Sequence, residues 1–266
     1  MNRAYCLLRA DPHYRKDAFM RGLAACGFSV TDQWPERGPH GDVLVIWNRY
    51  YEYDELATRF EKQGGRVLVA ENGYFGNQVN GVYWYALALG YHNGAGIWPT
   101  TDLDGSTRRQ LLGVEVLPWH ANRRGDVLVL PQRGIGPPGV AMPLTWANDV
   151  LVRLRALTSR RVRVRPHPGQ SRPDVSLQDD LANCALAITW GSGAALHALR
   201  LGVPVFYDMP HWIGQGAAMP LGRATGLDEP YTGSRDVMFE NVACAMWRLD
   251  EIESGHGIRT VLACSP

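Results

Sequence analysis

Asp42-Val43-Leu44-Val45-Ile46-Trp47, followed by Tyr53–Gln63, Gly64-Gly65 and Arg66-Val67-Leu68-Val69-Ala70, is the stretch whose reading decides the fold. The first and last pieces are continuous apolar runs, as expected of strands covered on both faces in a parallel sheet. The middle piece has helical character and ends on a glycine pair that stops it. Strand, helix, strand at this length is a βαβ unit. Working outward toward the N-terminus, Tyr5–Leu8 reads as a first strand. Tyr14–Cys26 reads as a helix with Phe19, Leu23 and Cys26 on one face, closed by Gly27.

Toward the C-terminus, residues 73–100 are aromatic and glycine-rich, with Tyr74, Phe75, Tyr83, Trp84, Tyr85, Tyr91 and Trp98. Val82–Leu89 reads as a strand and the remainder as a long loop of functional type. A second α/β run begins at Asp126–Leu130. It continues through a helix near Trp146–Leu157, strands at Val162–Arg165 and Ala185–Thr189, a helix at Ala194–Leu201 and a strand at Val203–Phe206. Met238, Val242, Ala245, Leu249 and Ile252 are spaced as one face of a single long helix over 235–253. Asp104-Gly105-Ser106 reads as the cap of another helix. The polar run Asn122-Arg123-Arg124-Gly125 after Pro118 marks a boundary. The expected organisation is a domain over 1–120, a second over 121–235, and a C-terminal helix over 236–266 packing back on the first domain.

Composition excludes several classes. The chain has 266 residues and a net charge of +1, so no global field draws it to a polyanion. Lys16 and Lys62 are the only lysines among 27 basic residues. Arginine dominance suits bidentate anion contacts, but a GC-rich genome gives the same bias. Hydrophobic content of 45% argues against disorder. No apolar stretch approaches a membrane span, and the N-terminus lacks a signal-peptide core, so a cytoplasmic location is expected. The five cysteines are scattered without a CxxC pair, which points to reduced thiols.

Chemistry-bearing residues fall just after strands, where open α/β sheets bind ligands. Arg165-Pro166-His167-Pro168 leaves its strand through a rigid exit fixed by two prolines. Such a histidine can donate to a phosphate or ribose oxygen, or can satisfy a backbone carbonyl in a stiff loop. Thr189-Trp190-Gly191-Ser192-Gly193 joins a buried strand to a helix, so its amides and hydroxyl can meet an anion at the helix N-terminus; Ser192 also serves as a plain N-cap. In the glycine-rich exit from 126–130, which also carries Gln132, Arg133 can neutralise a leaving phosphate, or the segment is a hinge. Trp47-Asn48-Arg49-Tyr50 is a plausible acceptor contact, or an aromatic lid on the core. Glu71 stands at the end of its strand, where a carboxylate can take a hydroxyl proton, or pair with a nearby arginine. Of Arg153, Arg155, Arg160, Arg161, Arg163, Arg165 and Arg172, all but Arg165 read as a solvated face. Ser192 lies outside a GxSxG elbow, which argues against a serine hydrolase. No His/Cys/carboxylate set has metal spacing, and Asp102-Leu103-Asp104 reads better as a helix cap than as a metal-binding DxD.

The His-Pro element, the serine turn and the helix ending in Gly202-Val203-Pro204 resemble the C-terminal domain of GT-B glycosyltransferases, most closely bacterial sialyltransferases and capsule-polysaccharide transferases. The resemblance covers roughly residues 160–210. It implies two Rossmann-like open-sheet domains facing a cleft, with the N-terminal one reduced. It also implies that His167 and Ser192 bind a nucleotide-sugar donor, with Gly191 and Gly193 shaping the turn; the residue reading adds Arg165, Gln132 and Arg133 as expected donor contacts beside them. Glu71-Asn72-Gly73 partly matches the acidic-acidic-glycine motif whose acid is the general base, departing from it at Asn72. Acceptor contacts are then expected at Asn48, Arg49, Tyr50, Asn72 and Tyr74. The expected activity is metal-independent sugar transfer, with no cofactor beyond the nucleotide sugar and no obligatory protein partner. The acceptor expectation leans toward a hydroxymethylated pyrimidine in tailed-phage DNA, because the aromatic loops can stack a flipped base and Arg49, Arg108 and Arg109 can hold phosphates. A cell-surface or capsule glycan is the alternative. A nucleotide-sugar epimerase or a non-catalytic nucleotide-binding module is the second alternative.

Overall fold

The computed structural model describes residues 1–92, 94–100, 103–120, 124–171 and 173–264. Short apolar runs alternate with amphipathic segments, giving β1 (Arg3–Cys6), α1 (Lys16–Ala25), β2 (Ser29–Thr31), β3 (Val43–Ile46), α2 (Glu52–Lys62), β4 (Arg66–Asn72), β5 (Gln78–Val79), β6 (Val82–Leu89) and α3 (Gly105–Leu111). The chain continues with β7 (Asp126–Leu130), α4 (Trp146–Leu157), β8 (Val162–Val164), α5 (Leu177–Ala182), β9 (Cys184–Thr189), α6 (Gly193–Arg200), β10 (Val205–Tyr207) and β11 (Met219–Pro220). It ends with α7 (Asp236–Cys244), β12 (Met246–Arg248), α8 (Leu249–Glu253) and α9 (His256–Ala263). Two units result: Met1–Leu112 with Glu240–Pro266, and Gly113–Phe239.

In the first unit the sheet order is β12-β6-β4-β3-β1-β2, with β5 on β6. β2, β1, β3 and β4 are parallel, whereas β6 runs antiparallel to β4 and β12 antiparallel to β6. All four residues of β3 are buried, as a doubly covered strand requires. Strand alternation divides the core in two. Ala4, Cys6, Val43, Val45, Leu68 and Ala70 face one cluster, and Tyr5, Leu44, Ile46, Val67 and Val69 face the other. In the second unit β11-β10-β9-β7-β8 form an all-parallel sheet.

The C-terminal segment differs from the expected single long helix. The spacing of Met238, Val242, Ala245, Leu249 and Ile252 is helical, but Trp247 would then lie about 200° around the axis from Ala245, on the solvent side. The fold instead breaks the helix, pairs Met246–Arg248 with β6 as an edge strand, and buries Trp247 completely. Arg108 of α3 sits over the Trp247 ring at 4.6 Å and pairs with Glu251 at 2.8 Å, which fixes α3 against this segment. Asp104 caps α3 by accepting from the Thr107 amide at 3.0 Å; Asp102 lies outside the described residues, as does Arg172. No helix among the described residues is long and apolar enough to cross a membrane.

Candidate functional site

In the second sheet the chain steps from β7 to β8 on one side and then places β9 on the other side of β7. Strand order therefore reverses between β7 and β9, and open α/β sheets bind ligands at the carboxyl ends of the strands at such a reversal. The exits from these strands carry the residues singled out by sequence. Gln132, after β7, donates from Nε2 to the Gly191 carbonyl at 3.1 Å, tying the two exits together. Thr189 Oγ1 donates to the Leu130 carbonyl at 3.1 Å and accepts from the Ser192 amide at 2.9 Å. Ser192 caps α6, its Oγ accepting from the Ala194 amide at 3.2 Å. The cap oxygen keeps its own hydrogen to donate, and Gly193 is the first helical residue, whose amide has no intrahelical acceptor.

The two glycines of this turn have different reasons. A Cβ on Gly191 would stand 2.5 Å from Met209 Sδ, so no side chain fits. A Cβ on Gly193 would meet nothing within 4 Å. Alanine is the better helix former by up to about 1 kcal/mol, and glycine at this open position leaves the backbone free for close approach by a ligand. Gly193→Ala is expected to leave stability unchanged or raise it by about 0.4–1 kcal/mol. The same change should weaken any ligand that docks on the Gly193 amide roughly tenfold, a loss of about 1.4 kcal/mol. Thermal melts and calorimetric titration of the one variant read both effects.

His167, after β8, accepts at Nδ1 from the Gly169 amide at 2.9 Å. Its neutral form therefore carries hydrogen on Nε2, a donor. Burial, and secondarily the Arg133 charge, hold its pKa below the ordinary histidine value. A Cβ added to Gly169 would lie 3.0 Å from Arg133 Cδ and 3.2 Å from His167 Nδ1, so these three residues adjoin. Arg133 is exposed, and no ion pair or hydrogen bond engages its guanidinium among the described residues. A cation, a neutral donor and a helix N-terminus thus lie at one sheet edge. Arg165 does not join them. Its guanidinium bonds to Asp180 and to the Val175 carbonyl. Burial pushes the Asp180 carboxyl up, but Arg163 and Arg165 together outweigh that and hold it below the usual carboxylate range. Arg165 is a brace of the β8 exit, and its expected donor contact is replaced by this ion pair.

In the first unit strand order reverses between β1 and β3. The exits of β1, β3 and β4 bring His13, Tyr14 and Trp47 together, with His13 and Trp47 ring centroids 5.7 Å apart and Tyr14 and Trp47 4.6 Å apart. His13 Nε2 lies 2.9 Å from Asn72 Oδ1. Sequence reading missed His13, although it stands in the exit of the first strand next to Pro12, the same kind of position that singled out His167. Glu71 and Asn72 do not act on one face. Glu71 shares the face of Val67 and Val69, and Asn72 that of Leu68 and Ala70. Beyond Glu71 lies half-buried Tyr74, whose hydroxyl pKa is pushed up by burial and then by the Glu71 charge. Gly73 is required by the turn, since a Cβ there would stand 2.5 Å from the Gly76 carbonyl oxygen.

Two expected phosphate contacts are corrected. Arg49 is 1% exposed and bonds to Asp54, Glu61, Thr58 and the Gly90 carbonyl, so it is a hub of the core and does not reach an acceptor. Arg108 is buried over Trp247. Tyr50 is exposed and lies against Tyr51, and Asn48 is partly exposed. Among the described residues no three His, Cys, Asp or Glu side chains converge as metal ligands.

No family model and no curated protein sequence matches this chain. Solved structures do, two of them as follows. One is Thermosulfurimonas dismutans KpsC, beta Kdo 2,4 transferase, with a TM-score of 0.52 and 15% identity over 90% of this chain and 89% of that one. The other is Thermosulfurimonas dismutans KpsC, beta Kdo 2,7 transferase, with a TM-score of 0.55 and 13% identity over 97% of this chain and 100% of that one. At these identities the likeness is one of fold: mixed α/β with open, Rossmann-like sheets.

Proposed function

We infer that the chain is a glycosyltransferase that takes its sugar from a nucleotide-sugar donor and delivers it to a hydroxyl of a cell-surface or capsule glycan. The observation that carries this reading is the group of hydrogen-bond donors at the β7/β9 reversal that meet no acceptor among the described residues: Arg133, His167 Nε2 and the Gly193 amide. Fold likeness to two enzymes titled Kdo transferases supports it. Arg133, His167 and the α6 N-terminus hold the nucleotide phosphate and take up the negative charge that grows on it as the sugar leaves, which is the task a metal performs in other transferases. Gln132 fixes the turn that presents the Gly193 amide, and Ser192 adds its hydroxyl.

A DNA acceptor loses its support. Trp84 and Tyr85, offered for base stacking, are core residues at 2% and 1% exposure, and Arg49 and Arg108 are held in buried ion pairs. A melting screen against nucleotides and nucleotide sugars tests the donor reading, because a ligand at a hundred times its Kd stabilises by about 2.7 kcal/mol. Labelled sugar is then expected on oligosaccharides and not on hydroxymethylated DNA.

The state of His167 adds a pH signature. Phosphate brought against Nε2 opposes the effects of burial and Arg133 and raises the imidazole pKa. Binding near pH 6, just below the ordinary histidine value of about 6.5, is therefore accompanied by proton uptake, and affinity rises as pH falls through this window. Calorimetry in two buffers of different ionisation enthalpy measures the uptake directly. His167→Asn is expected to abolish it.

A further inference from the structure

We propose that His13 is the base that takes the proton of the attacking acceptor hydroxyl, receiving it at Nδ1. The proposal rests on the glycosyltransferase reading and assigns a role that sequence had placed on Glu71.

Hydrogen-bond direction fixes the tautomer of His13. The Gly73 amide can only donate, so the atom it meets at 2.9 Å on Asn77 is the side-chain oxygen. The other branch of Asn77 is then its NH2 group, which donates to the Asn72 atom 2.6 Å away, and that atom must be oxygen. His13 meets the same oxygen at 2.9 Å, so its Nε2 must carry hydrogen. In the neutral ring Nδ1 is left with the lone pair. No hydrogen bond forms at Nδ1 among the described residues.

Every other polar handle of His13 is fixed. Its amide donates to Asp11 Oδ1 at 2.9 Å, and its carbonyl accepts from the Tyr85 hydroxyl at 2.9 Å. Tyr14 and Trp47 pack edge-on against the ring. The next turn stores strain, since Arg15 has φ 48, a left-handed conformation rare for a side chain that is not glycine. A residue held at each polar atom but one, at the strand-order reversal of its sheet, presents that one atom to a ligand. Glu71 lies on the opposite face, among the α2-side residues.

As the acceptor attacks, its O–H bond breaks and the proton moves to Nδ1. The acceptor oxygen bonds to the anomeric carbon, and the bond from that carbon to its leaving group breaks with the electron pair departing on the leaving group. Asn72 Oδ1 accepts from Nε2–H throughout and holds the ring in place. The proton is then released to water.

The test uses the full chain with a panel of UDP-, GDP- and CMP-sugars, methyl glycosides as acceptors, and nucleotide release as the readout. His13→Ala is expected to lower kcat by about 100- to 10,000-fold with donor KM little changed, and added imidazole to restore part of the loss. Glu71→Gln is expected to retain turnover. Normal turnover by His13→Ala together with collapse in Glu71→Gln overturns the proposal and leaves the transferase reading standing. A wild-type chain that turns over none of the panel and binds no nucleotide defeats the reading itself and the proposal with it. Independently of turnover, nitrogen NMR of histidine-labelled protein is expected to show hydrogen on Nε2 of His13, with that preference lost in Asn72→Ala. Hydrogen on Nδ1 in the wild type overturns the proposal.

Discussion

Arg49→Ala is expected to destabilise the first unit by about 3 kcal/mol, the lower end of what removing one partner of a buried ion pair costs. The guanidinium is 1% exposed and serves two carboxylates, Asp54 at 2.6 Å and Glu61 at 2.9 Å, while stacking over Tyr91 at 4.4 Å. The lower end applies because Asp54 and Glu61 keep 27% and 34% exposure and regain some water when the arginine is lost. The melting midpoint should fall by roughly 6–12 °C. The deficit should also depend on pH. Burial already holds the Glu61 pKa above the usual carboxylate value despite Arg49, and losing Arg49 raises it further. A group with a raised native pKa contributes stability at low pH and loses it as pH rises through that value. The variant is therefore closest to wild type in acid and falls away toward neutrality. Melts at several pH values check both size and sign, and an unchanged midpoint would show that Arg49 is not the hub described.

The second large effect is on binding. Arg133→Ala and His167→Ala each remove one charge-assisted contact, worth roughly 1.5–3 kcal/mol. Each should weaken nucleotide binding about 10- to 100-fold. The two side chains adjoin through Gly169, so their losses should not simply add. The double variant is nonetheless expected to fall on the order of 100-fold or more. Arg133 makes no bond among the described residues, so its removal should leave the melting midpoint near wild type. Arg165→Ala behaves oppositely. It frees Asp180 from one of its two arginines, costing stability before affinity.

Much of the fold was legible because its strands are doubly covered. Val43–Ile46, Val67–Ala70, Val127–Leu130 and Ala185–Thr189 are apolar at nearly every position, and no competing period obscures them. The C-terminal segment was misread because five apolar residues at helical spacing outvoted one tryptophan. Trp247 on the wrong side of that helix was the available signal for β12. At the second sheet, the positions of Gln132, Arg133, His167 and Ser192 just after strands were readable, because the apolar strands before them are unambiguous. Arg165 and Arg49 were misassigned for one reason: sequence shows a guanidinium but not the carboxylates that Asp180, Asp54 and Glu61 bring to it. Strand alternation places Glu71 and Asn72 on opposite faces of β4, which a motif read as one unit does not show. His13 stood just before Tyr14, the first residue of the expected helix. Its partners Asn72 and Asn77 lie more than fifty positions away, and only the sheet brings them together.

The most direct test of the donor site is a histidine-selective nitrogen NMR spectrum recorded with and without nucleotide. His167 lies at the carboxyl edge of the second sheet. His120 lines a cavity of about 490 Å³ with Trp119, Ala185 and Pro204, at the amino ends of β9 and β10, and serves as an internal control. A nucleoside phosphate or nucleotide sugar is expected to shift the His167 ring resonances, with Nε2 remaining the protonated donor, while His120 stays in place. Binding that moves His120 and leaves His167 unchanged would contradict this assignment.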